Sequence, residues 1–68
     1  MNEETLNLSI RKFLKLVGVN SQRELEHAVS QAIASGSIAG NEALNITMTL
    51  EVTALNLKTS FDGQILLQ

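Results

Sequence analysis

The chain has no cysteine, no proline, no tryptophan and no tyrosine, and only one histidine. Without cysteine there is neither a disulfide nor a thiolate metal site to staple a short fold. Without proline, the strongest breaker of helices and strands is missing. Two phenylalanines are the only aromatics, which leaves little for stacking nucleic-acid bases. Five Lys and Arg stand against seven Asp and Glu, a formal charge of −2, and phosphate recognition needs more clustered cations than that. A nucleic-acid partner is therefore not expected. Long apolar runs are lacking too: nothing approaches the roughly 18 residues of a membrane span. Met1-Asn2-Glu3-Glu4-Thr5 is acidic, whereas a secretory signal starts basic. The expectation is a cytoplasmic chain with no membrane partner, in which the glycosylation sequon Asn45-Ile46-Thr47 is a chance match.

What is present is 44% hydrophobic and 18% charged over 68 residues, a composition that folds rather than staying disordered. The length allows one small domain, residues 1–68. At this size only about 60% of the unfolded chain's surface is buried on folding. Stability must come from a well-patterned core, a partner chain, or both.

Two helices are predicted first, over residues 2–17 and 22–35. Leu6, Ile10, Phe13, Leu14 and Val17 fall in one stripe about 100° wide, behind an Asn2 N-cap with Glu3 and Glu4 in the first turn. Gly18 is positioned as a left-handed stop, with Val19 folding back on Leu14. Ser21-Gln22-Arg23-Glu24 has capping-box spacing and opens a second helix carrying Leu25, Ala28, Val29, Ala32 and Ile33, closed by Gly36. Ser37 to Ala43 reads as a connector around Gly40, with Ile38 dipping into the core.

The period then changes from 3.6 to 2. Leu44, Ile46, Met48, Leu50 and Val52 alternate with Asn45, Thr47, Thr49, Glu51 and Thr53, predicting a half-buried strand over residues 44–52. Parity pairs Val52 with Leu57 across a four-residue loop with Asn56 left-handed, setting Glu51 opposite Lys58 and Thr49 opposite Ser60. A second strand is predicted over 57–61. A three-residue turn, Phe61-Asp62-Gly63 with Gly63 left-handed, then keeps Phe61 and Ile65 on one face and leads to a third strand over 64–67. The expected fold is α+β: two N-terminal helices packed on one face of a three-stranded antiparallel meander.

Nothing in the sequence assembles a catalytic or cofactor site. His27 lies opposite the apolar stripe of the second helix, without the cleft or orienting partner a general base needs. One His and scattered carboxylates do not make a metal site, and the serines lack a base in reach. Ser35-Gly36-Ser37-Ile38-Ala39-Gly40 follows a helix rather than opening one, at the wrong end of the dipole for phosphate. The reading is a non-enzyme without cofactor.

Two surfaces stand out. Leu8, flanked by Arg11, Lys12 and Lys15 on the outer face of the first helix, suits an acidic protein partner with an apolar centre. The strand segment Asn45 to Leu50 has no charge, Pro or Gly to guard a sheet edge, which makes Thr47, Thr49 and Glu51 candidate strand-pairing residues. The function so indicated is protein interaction or self-association, the partner being a second copy or another protein. The alternative is a small-ligand domain with a pocket between the second helix and the sheet.

Taken together, Leu6 to Gly18-Val19-Asn20-Ser21-Gln22-Arg23-Glu24, Gly36-Ser37-Ile38-Ala39-Gly40, Thr47-Met48-Thr49-Leu50-Glu51 and Phe61-Asp62-Gly63 resemble a family of very short bacterial proteins known only as a domain of unknown function. The resemblance covers nearly the whole chain. It implies no activity, so no functional residue is carried over. Family members favour Gly where this chain has Asn56, which agrees with the left-handed turn.

Overall fold

Asn2 starts the first element as its spacing predicts: its side-chain oxygen accepts the Thr5 amide at 3.1 Å, and Glu3 and Glu4 occupy the first turn. In the computed structural model, which describes all of residues 1–68, the helix that follows does not stop at Gly18. It is a single helix α1, Glu3–Ala34, 32 residues long. The two predicted helices are its two halves. Gly18 is not among the glycines of positive φ, Val19 is helical rather than folded back, and Ser21 sits inside the helix instead of capping one.

The physical reason is a comparison of costs. Carrying one Gly through a helix costs about 1 kcal/mol relative to Ala. Stopping and restarting demands a second nucleus, with a factor near 10⁻³, or about 4 kcal/mol, which one capping box worth ~1 kcal/mol does not offset. The apolar stripe also stays in phase. Val17, Ser21, Leu25 and Val29, all half-buried, succeed one another at i+4, so no change of face requires a break. Asn20, which would otherwise favour a turn, donates its side-chain amide to the Leu16 carbonyl at 2.8 Å. The true end comes where Ser35 donates its backbone N–H to Gln31 O at 2.9 Å and Gly36 adopts φ +79°, the left-handed stop that Gly tolerates best.

The remaining elements form an antiparallel hairpin of β1, Ala43–Val52, and β2, Leu57–Leu66, joined by a 3₁₀ turn at Thr53–Leu55. The predicted four-residue loop is present, with Asn56 at φ 51°, ψ 35°, and the register is the one parity demands: Val52 opposite Leu57, Glu51 opposite Lys58, Thr49 opposite Ser60. The third strand is not. Residues 61–63 continue β2, Gly63 does not take positive φ, and the sheet has two strands.

Two facts of pattern explain this. An odd-numbered turn was needed to keep Phe61 and Ile65 on one face, but an uninterrupted strand does so with no turn at all. A five-residue second strand would also leave half of β1 unpaired, whereas the continuous β2 matches all ten residues of β1. The meander is therefore a hairpin and the fold, still α+β, has one helix and two strands. The second helix that the ligand-binding alternative requires is the C-terminal half of α1.

The chain divides into two units, Met1–Ser35 and Gly36–Gln68. No side chain in either is fully buried. The hairpin sorts its residues cleanly. Leu44↔Ile65, Met48↔Phe61 and Val52↔Leu57 lie on one face, and Asn45↔Gln64, Thr47↔Asp62 and Thr49↔Ser60 on the other.

Candidate functional site

The loop at the start of the second unit, ahead of β1, is held by a residue that sequence reasoning passed over. Glu42 accepts the backbone amides of Ala39 at 2.7 Å and Gly40 at 2.8 Å with its two carboxylate oxygens, and Asn41 at 3.1 Å. Gly40 has φ +102°, which helps turn successive amides toward one point. Donation from Ala39, then Gly40, holds the carboxyl below the ordinary glutamate value, against a smaller opposing effect of desolvation. The signal in sequence was a carboxylate two residues after a loop glycine. Its role is to shape the entry to β1: Leu67 donates its amide to Glu42 O at 3.2 Å.

The predicted helical surface lies on α1, with Leu8, Arg11, Lys12 and Lys15 all exposed and Leu8 65% so. Because α1 runs through Gly18, this surface is longer than expected. A shallow depression is lined by Lys12, Phe13, Lys15, Leu16, Val19 and Arg23, among others. A helix broken at Gly18 assigns Val19 to a turn and divides Leu16 and Arg23 between two helices, so their common face was missed. A second shallow depression, along Ala28, Gln31, Ala32, Ala34 and Ser35, contains no ionisable group.

Thr47, Thr49 and Glu51 lie on the polar face of the hairpin and are exposed. Two of them bond to β2: Thr47 Oγ1 donates to Asp62 Oδ1 at 2.8 Å, and the Thr49 and Ser60 hydroxyls are 3.0 Å apart, while Glu51 is in register with Lys58. Gln64 Nε2 adds a long bond to Asn45 Oδ1 at 3.4 Å. Thr47 and Thr49 thus stabilise the hairpin internally. What they leave for a partner is the backbone of β1, since the sheet order β1-β2 places no strand beyond it.

His27 is exposed on α1. No group of three or more His, Cys, Asp or Glu is placed to hold a metal ion, and no helix is long and apolar enough to cross a membrane.

Helix, hairpin and shallow surfaces define a small α+β protein whose describable features are faces and edges. The chain belongs to the family of unknown function DUF6494, whose model matches residues 1–68. No curated protein and no solved structure matches it.

Proposed function

We propose that this protein is a non-catalytic association module of the cytoplasm that pairs with a second copy of itself through the edge of β1. The observation that carries the reading is the ten-residue strand Ala43–Val52, which has one strand neighbour only. From Asn45 to Leu50 it contains no charge, Pro or Gly, the residues by which natural edges discourage pairing. An isolated two-stranded hairpin is marginal in water, and three or more strands with an apolar face are needed for independent stability. Antiparallel pairing of two β1 strands about a twofold axis supplies a four-stranded sheet and satisfies the outward backbone groups by strand addition. It also merges two apolar faces, each carrying Leu44, Ile46, Met48, Leu50, Phe61 and Ile65, into one.

Sedimentation equilibrium from micromolar to millimolar protein tests this, combined with amide exchange read residue by residue. A dimer is expected, with the outward amides of β1 becoming slower to exchange as concentration rises while those on the outer edge of β2 do not. A monomer across the whole range, or protection growing on β2 instead, refutes it.

A further inference from the structure

Continuity of α1 through Gly18 brings together a charge pattern that two separate helices divide. Between Glu4 and Glu24 there is no carboxylate, yet four of the five basic residues, Arg11, Lys12, Lys15 and Arg23, lie in this stretch. At 100° per residue they fall within a sector about 120° wide, spread over ~18 Å of helix. Leu6, Ile10, Phe13, Leu14, Leu16 and Val17 occupy an opposing sector about 160° wide. Of these Phe13, Leu14 and Leu16 are 55%, 57% and 59% exposed.

We propose that residues 5–23 of α1 bind the surface of an anionic lipid bilayer, lying in its interface without crossing it. A helix with a broad apolar face and a Lys/Arg-rich polar face is suited to this: its aliphatic side settles at the headgroup–acyl boundary while long cationic side chains reach up to the phosphates. The occupant follows from charge and shape. The protein as a whole is acidic, at −2, so its attraction to an anionic surface must come from this local face and depends on the helix lying flat. An acidic protein groove would meet a narrow seam, whereas these cations flank a wide apolar sector on both sides: Lys12 and Arg23 near the Leu16 border, Arg11 toward the Leu14 border. This proposal departs from the expectation of no membrane partner, which rested on the lack of a spanning segment: the absence of a spanning helix excludes only crossing. The strand-pairing surface belongs to the other unit, so the two proposals fail independently.

The chain has no Trp or Tyr, which makes single tryptophans clean reporters. Phe13→Trp places one on the apolar face and Leu8→Trp one on the basic face. With vesicles of phosphatidylglycerol mixed into phosphatidylcholine, the first is expected to shift its emission to the blue and to be quenched by brominated acyl chains, and the second to stay near its aqueous emission. Pure phosphatidylcholine should bind far less, and rising salt should weaken the binding. Each basic residue near such a surface is worth about fivefold in partitioning, so Lys12→Gln with Lys15→Gln should weaken it about 30-fold. No shift with anionic vesicles, equal shifts at both positions, or an equal shift with soluble polyglutamate in place of vesicles overturns the proposal. The last outcome assigns the face to an acidic protein.

Discussion

Replacing Gly18 by Ala gives opposite answers for one helix and for two. In the continuous α1, Gly18 has ordinary helical backbone, and a methyl group added there meets no heavy atom within 4 Å. The substitution then gains the difference in helix propensity, about 1 kcal/mol, part of it through the reduced freedom of the unfolded chain. For a domain of this length that corresponds to a rise in Tm of roughly 4–8 °C. If Gly18 instead ended a first helix in the left-handed region, Ala would cost about 1–2 kcal/mol. Gly36→Ala is the internal control, because Gly36 has φ +79° with open space around it, so strain alone should lower stability there by about 1–2 kcal/mol. Thermal and urea unfolding followed by circular dichroism at 222 nm, with all three proteins at one concentration, read both signs. A loss of stability or helicity in Gly18→Ala, matching that in Gly36→Ala, refutes the single-helix account.

Gly63→Ala should be neutral or stabilise by up to about 1 kcal/mol, since its Cβ would meet Ile46 Cγ2 at an ordinary 3.7 Å; a clear loss in urea unfolding would restore the turn at 61–63. Asn56 is left-handed at φ 51°, so Asn56→Gly should keep stability while Asn56→Ala loses about 1 kcal/mol, and equal losses would argue against that turn. The Glu42 carboxyl is held below its ordinary value of 4.5, so its stabilising effect is complete above that value and is lost as pH falls through the lower folded value. Glu42→Gln should be less stable at neutral pH and show a shallower acid limb in melts between pH 6 and 3; an unchanged acid limb would place the loop's order elsewhere. Asn2→Ala removes the cap on Thr5 and should cost about 1 kcal/mol, visible as fraying of the first turn in amide exchange.

The local chemistry of this fold was legible where a single residue type decides the backbone. Asn2 as cap, Gly36 as stop and Asn56 as the left-handed turn residue each follow from what those side chains permit. The Val52–Leu57 register follows from alternation. What misled was punctuation of ambiguous meaning. Gly18 and Ser21-Gln22-Arg23-Glu24 form a plausible stop and start, yet both motifs are also tolerated inside a helix when the apolar phase runs through them. Asp62-Gly63 is a turn dipeptide, yet the period of 2 continues through it from Leu57 to Leu67. In both places the longer-range pattern outweighed the local signal. Leu8, Arg11, Lys12 and Lys15 were placed on an exposed helical face, as they are, but the extent of that face was cut at Gly18. Glu42 was passed over because its signal, a carboxylate two residues after a loop glycine, is local and leaves no periodic trace.

The two surfaces, if both act, are not merely additive. A bilayer holding one copy through residues 5–23 gathers others within a thin layer, where β1 edges meet at a far higher effective concentration than in solution. Conversely, a pair of chains joined through β1 presents eight basic helical residues instead of four, and its second helix binds as an intramolecular event wherever the geometry lets both reach the surface. Linkage requires that the factor be the same in both directions: anionic vesicles should tighten dimerisation by as much as dimerisation tightens vesicle binding. Vesicle binding measured at increasing protein concentration should then be sigmoidal in the wild-type chain, and Lys12→Gln with Lys15→Gln should weaken vesicle-stimulated pairing while leaving pairing in solution unchanged. A simple hyperbola at every lipid-to-protein ratio, from a protein that demonstrably dimerises and binds vesicles, would mean that the two surfaces act without reference to each other.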